Sequence, residues 1–357
     1  MLRHRGRAVR GGSAGRGLKV DARSTAQAPS KGVSAGAERV GEAFDGQGRY
    51  ATRAWVEGRL RASERIDDAV RLCGGWTSEM LRLDVSGPGG RRSLVLRSFT
   101  KAFYVRHAEG LLTREADVQR LLEDTDVPAA RLVAVDATAE YCDHPSLLMT
   151  LLPGTVRLTD EGADRRADLL ARRLRSIHQL RVGEADRPRV YQAWTGPERV
   201  NIPPDTGRPE LWRRAVDVIR REPPDHTARF LHRDFHPGNV LFDGDGEDLR
   251  ISGVVDWVET SWGPADLDVA HCSTALALLH GVPAGMRFAD RYVAAGGVLG
   301  RDRAAHLYWR LLDALAYAPD AEKVAVPWRE LGRTDLTPAL LTGRLEDYLR
   351  ALLDRYA

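Results

Sequence analysis

The chain has 357 residues, 43% of them hydrophobic and 29% charged, a globular composition that at this length predicts two or three lobes. No apolar run approaches the roughly 18 residues a membrane-crossing helix needs, which excludes an integral helical membrane protein and removes any call for a membrane partner. Residues 1–50 hold ten basic and four acidic groups, a balance of +6, while the whole chain carries +3; the body is therefore slightly acidic and needs no nucleic-acid partner to explain its charge.

Residues 1–45 are mostly Gly, Ser, Ala and Arg. They cannot bury enough apolar surface to offset the entropy of ordering, so a disordered basic tail is expected. Gly6, Gly11 and Gly12 weaken the amphipathic helix that a targeting peptide requires. Cys73, Cys142 and Cys272 are scattered and lack CxxC spacing. That argues against a disulfide framework or a zinc site and suits a reducing, cytoplasmic compartment.

Structure is expected to begin near Tyr50 with a helical stretch. In "DAVRLCGGWTSEMLRLDVSGPGGRRSLVLRSFT" short, partly alternating runs are separated by Gly-Gly and Ser-Gly-Pro-Gly-Gly, the pattern of an antiparallel meander. "LLTREADVQRLLEDTD" has helical spacing, with Leu112, Val118, Leu121 and Leu122 near one face. Short strands follow at "ARLVAVD" and "SLLMTLL", and Pro153-Gly154 breaks the chain. Beyond that break helices dominate, among them Ala171–Leu180, Pro209–Arg221, Asp302–Tyr317 and Leu345–Tyr356. The last carries Leu345, Tyr348, Leu349, Leu352, Leu353 and Tyr356 on one stripe. Between the first two lies "VGEADRPRVYQAWTGPERVNIPPDTG", a loop long enough to be functional or mobile. The fold class is α+β, with a small antiparallel-sheet lobe over 46–152, a hinge near 150–154 and a larger helical lobe over 153–357.

The stretch "LHRDFHPGNVLFDG" (231–244) concentrates titratable and turn-forming residues. Pro237-Gly238 turns the chain so that Asp234 and Asn239 can face one cleft. "NVLFDG" reads as a strand with Val240 and Leu241 buried, and a second short strand ends at Asp256. A hairpin of the two brings Asn239 near Asp256. Such an oxygen-rich cluster suits Mg²⁺ and leaves Asp234 free to orient an incoming hydroxyl. His232 is expected to brace this loop, Asp266 and Asp268 to be structural, and His178, His271 and His280 to be packing residues.

The series "HRDFHPGNVL … GVVDW … GPADLDVAH" resembles the aminoglycoside phosphotransferase family of small-molecule kinases, over roughly residues 65–357. The resemblance implies a bilobal, protein-kinase-like fold whose N-terminal lobe binds ATP, with GTP as the alternative, together with Mg²⁺. It implies that Asp234 accepts a hydrogen bond from the acceptor hydroxyl and that Asn239 and Asp256 hold the metal. Arg97, in place of the usual lysine, and Glu115 stand where the phosphate-steadying ion pair belongs. Gly74 and Gly75 stand where the backbone approaches the phosphates, and Met149–Leu152, Thr150 and Leu151 in particular, where it meets the adenine. Only a few residues separate Trp257-Val258 from the helix beginning near Pro264, which leaves no room for a peptide-docking segment. A small-molecule hydroxyl acceptor is therefore expected, with no obligate protein partner. The alternatives are a non-catalytic, nucleotide-binding regulator, which the Arg97 and Trp257 departures favour, and, more remotely, a protein kinase.

Overall fold

The computed structural model describes residues 40, 43–44, 48–72, 78–319 and 321–357. Nearly all of the basic tail, and Gly74 and Gly75, lie outside these. Val40 and Phe44 are buried against the first sheet, so the ordered body reaches back at least that far.

Helix α1 (Tyr50–Glu57) precedes strands β1 (Arg65–Arg71), β2 (Glu79–Gly87) and β3 (Gly90–Ser98). Helices α2 (Ala102–Val105) and α3 (Ala108–Leu122) follow, and then β4 (Leu132–Asp136) and β5 (Ser146–Thr150). The strands form one antiparallel sheet in the order β1-β2-β3-β5-β4. Pro88-Gly89 makes the tight turn between β2 and β3, where Gly87 pairs with Gly90. Period-2 alternation explains the layers. Leu81, Leu83, Leu94 and Leu96 pack with Trp55 and Val56 of α1 on one face. Arg97, one residue on from Leu96, turns to the other face, where α3 lies.

The larger lobe contains α4 (Ala163–His178), α5 (Pro209–Ile219), the ribbon of β6 (Ala228–Leu231) with β9 (Ser261–Pro264), and the hairpin β7 (Val240–Asp243) with β8 (Arg250–Val254). Helices α6 (Ala265–His280), α7 (Val282–Ala294), α8 (Arg303–Ala314), α9 (Glu322–Glu330) and α10 (Pro338–Tyr356) complete it. Every residue of α6 from Ala265 to Leu279 is buried, as expected of a helix without a polar face. The predicted stripe of α10 is buried, with Tyr356 at its partly exposed end. Pleating corrects one detail: Val240 and Phe242 point inward, and Leu241 is only partly buried. The long linker is not free either. Trp262 of β9 donates to Arg189 O at 2.8 Å and accepts from Tyr191 N at 3.0 Å, which ties the linker to the ribbon.

After β5 the chain is stitched to the β7–β8 hairpin. Thr155 and Phe242 exchange backbone hydrogen bonds of 3.0 and 2.9 Å, and Ser252 Oγ donates to Pro153 O at 2.7 Å. Gly154 makes this approach possible. Its φ is +93°, and a Cβ there would sit 2.2 Å from Ser252 Oγ and 2.6 Å from Phe242 O. Gly154→Ala should therefore destabilise the protein by roughly 1–3 kcal/mol in denaturant unfolding. Wild-type stability in that variant would show that the hinge tolerates a side chain.

Candidate active site

The loop after β6 is set by one buried carboxylate. Asp268, on α6, accepts from the backbone N–H groups of His232 and Arg233, both at 2.8 Å, and lies 3.1 Å from His178 Nε2. Burial opposes its charge, but the His178 hydrogen bond and the positive Arg233 hold its carboxyl below the usual range. Arg233 has φ +74°, a left-handed conformation that costs a non-glycine residue about 1–2 kcal/mol. The two amide bonds to Asp268 hold it there. His232 is wholly buried; its Nδ1 accepts from Asp234 N at 3.2 Å and its Nε2 lies 3.0 Å from Val255 O. Burial lowers its pKa, so the ring is neutral and joins the loop to the end of the hairpin.

Asp234 lies at the edge of a cleft, its side chain about 29% exposed. Oδ2 accepts from Asn239 Nδ2 at 2.9 Å, and the same nitrogen donates to Asp234 O. Oδ1 is 3.0 Å from His271 Nε2. The other ring nitrogen of His271 is 3.0 Å from Asp313 Oδ1, and Thr274 donates to Asp313 Oδ2 at 2.6 Å. Although burial opposes its protonation, the carboxylates of Asp313 and Asp234 raise His271 to about 9. Burial would raise Asp234, but the His271 hydrogen bond and the neighbouring imidazoles win and hold it well below the carboxylate range. His271 was expected to be a packing residue; it bridges two carboxylates. The available signal was its position three residues after Asp268 on one helix, which puts both on the same face. Asp313, from another helix, left no local trace.

His236 Nδ1 accepts from Gly238 N at 3.0 Å, and its Nε2 is 3.6 Å from Asp234 Oδ1. Burial lowers it to about 4. Asp234, His236 and His271 present ligand atoms within 4.8 Å of one another. Both ring nitrogens of His271 already face carboxylate oxygens at 3.0 Å, and His236 Nδ1 accepts from Gly238 N, so the group is arranged as a hydrogen-bond network.

Opposite stands Arg97, 3% exposed. Its Nη1 lies 2.9 Å from Glu115 Oε2 and 3.1 Å from Asp256 Oδ1, and its Nε donates to Ser78 Oγ at 3.0 Å. Burial would lower its pKa, but Asp256 and Glu115 raise it further still, so the guanidinium stays charged. Burial raises Glu115 in turn, against the pull of Arg97. Asp256 has φ +65°, and Asn239 O accepts from Val255 N at 3.0 Å. The structure thus places Arg97, Glu115 and Asp256 in one network, and Asp234 and Asn239 in a second across the same cleft. At Thr150 and Leu151 the N–H groups donate to Arg131 O at 2.9 Å and Ser93 O at 3.1 Å, so both amides are held by the sheet and its continuation.

Asp234 and Asp256 line a cleft of about 640 Å³ with Arg97, Arg114, Trp194 and Arg233. A second cavity of about 690 Å³, against Arg175, Tyr292 and Gly297, contains none of these groups.

This bilobal arrangement is the kinase-like fold. The phosphotransferase enzyme family model matches residues 68–307, two thirds of the chain, and the chain belongs to that family. A Ralstonia eutropha protein assigned as an aminoglycoside phosphotransferase superimposes with a TM-score of 0.57 at 17% identity, covering 85% of this chain and 98% of its own. Aminoglycoside phosphotransferase APH(2″)-IIIa, in complex with GDP and kanamycin, gives 0.55 at 14%, covering 86% and 99%. The amicoumacin kinase hAmiN, with AMP-PNP, Ca²⁺ and amicoumacin, gives 0.53 at 12%, covering 89% and 96%. At these identities the likeness establishes the fold. No curated protein matches the chain by sequence, and none of the described helices is long and apolar enough to cross a membrane.

The raised pKa of His271 has a direct consequence for stability. A group whose folded value lies above its unfolded value, about 6.5, stabilises below that pH and loses its contribution as pH rises through the folded value. His271→Gln should therefore cost more unfolding free energy at pH 6 than at pH 10. An equal cost in urea titrations at both would show that the imidazole is not charged in the fold.

Proposed function

We propose that the chain transfers the γ-phosphoryl group of a nucleoside triphosphate, ATP or GTP, to a hydroxyl of a small molecule. The observation that carries this reading is the pose of Asp234. Asn239 and His271 fix both carboxylate oxygens while one side remains open to the cleft, across from the network of Arg97, Glu115 and Asp256.

Phosphoryl transfer passes through a loose transition state, so positioning and charge neutralisation supply most of the catalysis. Asp234 would accept a hydrogen bond from the acceptor hydroxyl and take its proton late; its lowered pKa suits a group that orients rather than one that deprotonates early. Arg97, held by Glu115, would steady the nucleotide phosphates. Asn239 and Asp256 fit a hard divalent cation. The amide nitrogen of Asn239 is turned to Asp234, which leaves its carbonyl oxygen as donor, and Asp256 supplies carboxylate oxygens at the cleft. Mg²⁺ bound there would neutralise phosphate charge. The linker from Trp257 to β9 is short, and α6 begins at Ala265, which favours a small acceptor over a docked peptide. A cytoplasmic setting accords with Cys142 and Cys272, both buried and unpaired.

Asp234→Asn should fold and bind MgATP with near wild-type affinity while slow ATP turnover falls by about 100-fold or more; undiminished turnover would remove Asp234 from its role. Asp256→Ala should abolish the Mg²⁺ dependence of nucleotide binding in calorimetric titrations. Unchanged dependence would contradict the metal assignment.

A further inference from the structure

Charge in the cleft is unevenly matched. Arg97 pairs with Glu115 and Asp256, Arg189 with Glu259, and Asp234 with His271. Arg114, Arg199 and Arg233 also line it. Among the described residues none of these three has a carboxylate within ion-pair distance. Instead they meet backbone carbonyls: Arg114 Nε donates to Val258 O, Arg199 Nη2 to Ala193 O at 3.2 Å, and Arg233 Nη2 to Gln192 O at 3.2 Å.

Arg233 is the most telling of them. It is 3% exposed, its guanidinium carbon stacks 4.6 Å above the Trp194 ring, and its Nη1 has no acceptor among the described residues. A buried charged donor without an acceptor is costly, and stacking orients the planar fork without satisfying it. The pinned linker supplies both the stacking ring and two of the carbonyls, so this cationic wall is built into the fold.

Resting on the phosphotransferase reading above, we propose that the acceptor is a hydroxyl compound bearing an oxyanion, either a carboxylate or a phosphate or sulfate ester, on an apolar body. Arg233, Arg199 and Arg114 bind the oxyanion while the hydroxyl meets Asp234. Arginine forks match such groups bidentately, and Trp194 with Phe99 and Tyr104 offers aromatic wall to the apolar part. A polycationic sugar would bring like charge against the same three guanidiniums.

The test uses two probes with one skeleton and opposite charge, 4-(hydroxymethyl)benzoate and 4-(hydroxymethyl)benzylamine. Each is titrated by ligand-observed NMR into the full chain saturated with Mg²⁺ and AMP-PNP, and 4-(hydroxymethyl)phenyl phosphate tests the ester form. We expect the anions to bind at least about tenfold more tightly than the amine, and Arg233→Gln to remove about tenfold of that affinity. Arg199→Gln, at the exposed rim, should weaken the anions several-fold and keeps the test open if Arg233→Gln does not fold. Equal affinities, binding of neither probe, preference for the amine, or displacement of the anions by the nucleotide would overturn the proposal. If saturation fails with both AMP-PNP and GMP-PNP, the phosphotransferase reading fails; with either nucleotide bound, only the acceptor class is at stake.

Discussion

The site depends on a carboxylate that touches no cleft. Asp268 sits without solvent exposure in α6 and accepts from two consecutive backbone amides of the loop that carries Asp234. Those bonds hold Arg233 in its left-handed conformation, and the reversal there directs Arg233 toward Trp194 and Asp234 toward the cleft. One helical turn along, His271 grips the Asp234 side chain. A single helix thus fixes the backbone of the loop and the carboxylate at its tip. Removing one partner from such a buried charged cluster costs about 3–5 kcal/mol, because the remaining charges have no water to fall back on. α6 can carry this cluster because it is buried along its length and enclosed by α4, α7, α8 and α10.

The same economy joins the two lobes. The hinge and the hairpin share backbone hydrogen bonds through Thr155 and Phe242, and Arg97, from β3, reaches Asp256 just past the hairpin's end. Arginine at this position alters the geometry but not the need for a buried cation between two acids. Its fork places Nε on Ser78 while Nη1 meets Glu115 and Asp256, so the contacts are shared between two nitrogens held in one plane.

Much of this was legible in the sequence because it is local. Alternation marked the strands, glycine-rich turns their breaks, and the 231–256 spacing brought Asn239 to the hairpin end where Asp256 lies. What could not be read depends on distant packing. His271 needs Asp313, 42 residues away, to be recognisable as a charged bridge. The commitment of the Thr150 and Leu151 amides follows from sheet partners at Arg131 and Ser93. The cationic wall needs the linker to fold back along β9, and "VYQAWTGPER" carries no periodicity that announces it. Inward placement of Phe242 rather than Leu241 turns on a one-residue phase, which a four-residue strand fixes poorly.

The pairing of an oriented acceptor carboxylate with a phosphate-steadying network is the central claim, and product detection tests it most directly. Purified protein would be incubated with Mg²⁺, ATP or GTP, and a mixed panel of hydroxyl compounds that includes carboxylates, sugars, amino alcohols and antibiotics. Mass spectrometry would then follow the panel for phosphate monoesters. We expect a monoester on at least one compound, absent when Asp234 is replaced by Asn. A monoester formed equally well without the Asp234 carboxylate would contradict the assignment of this cleft as the phosphotransfer site.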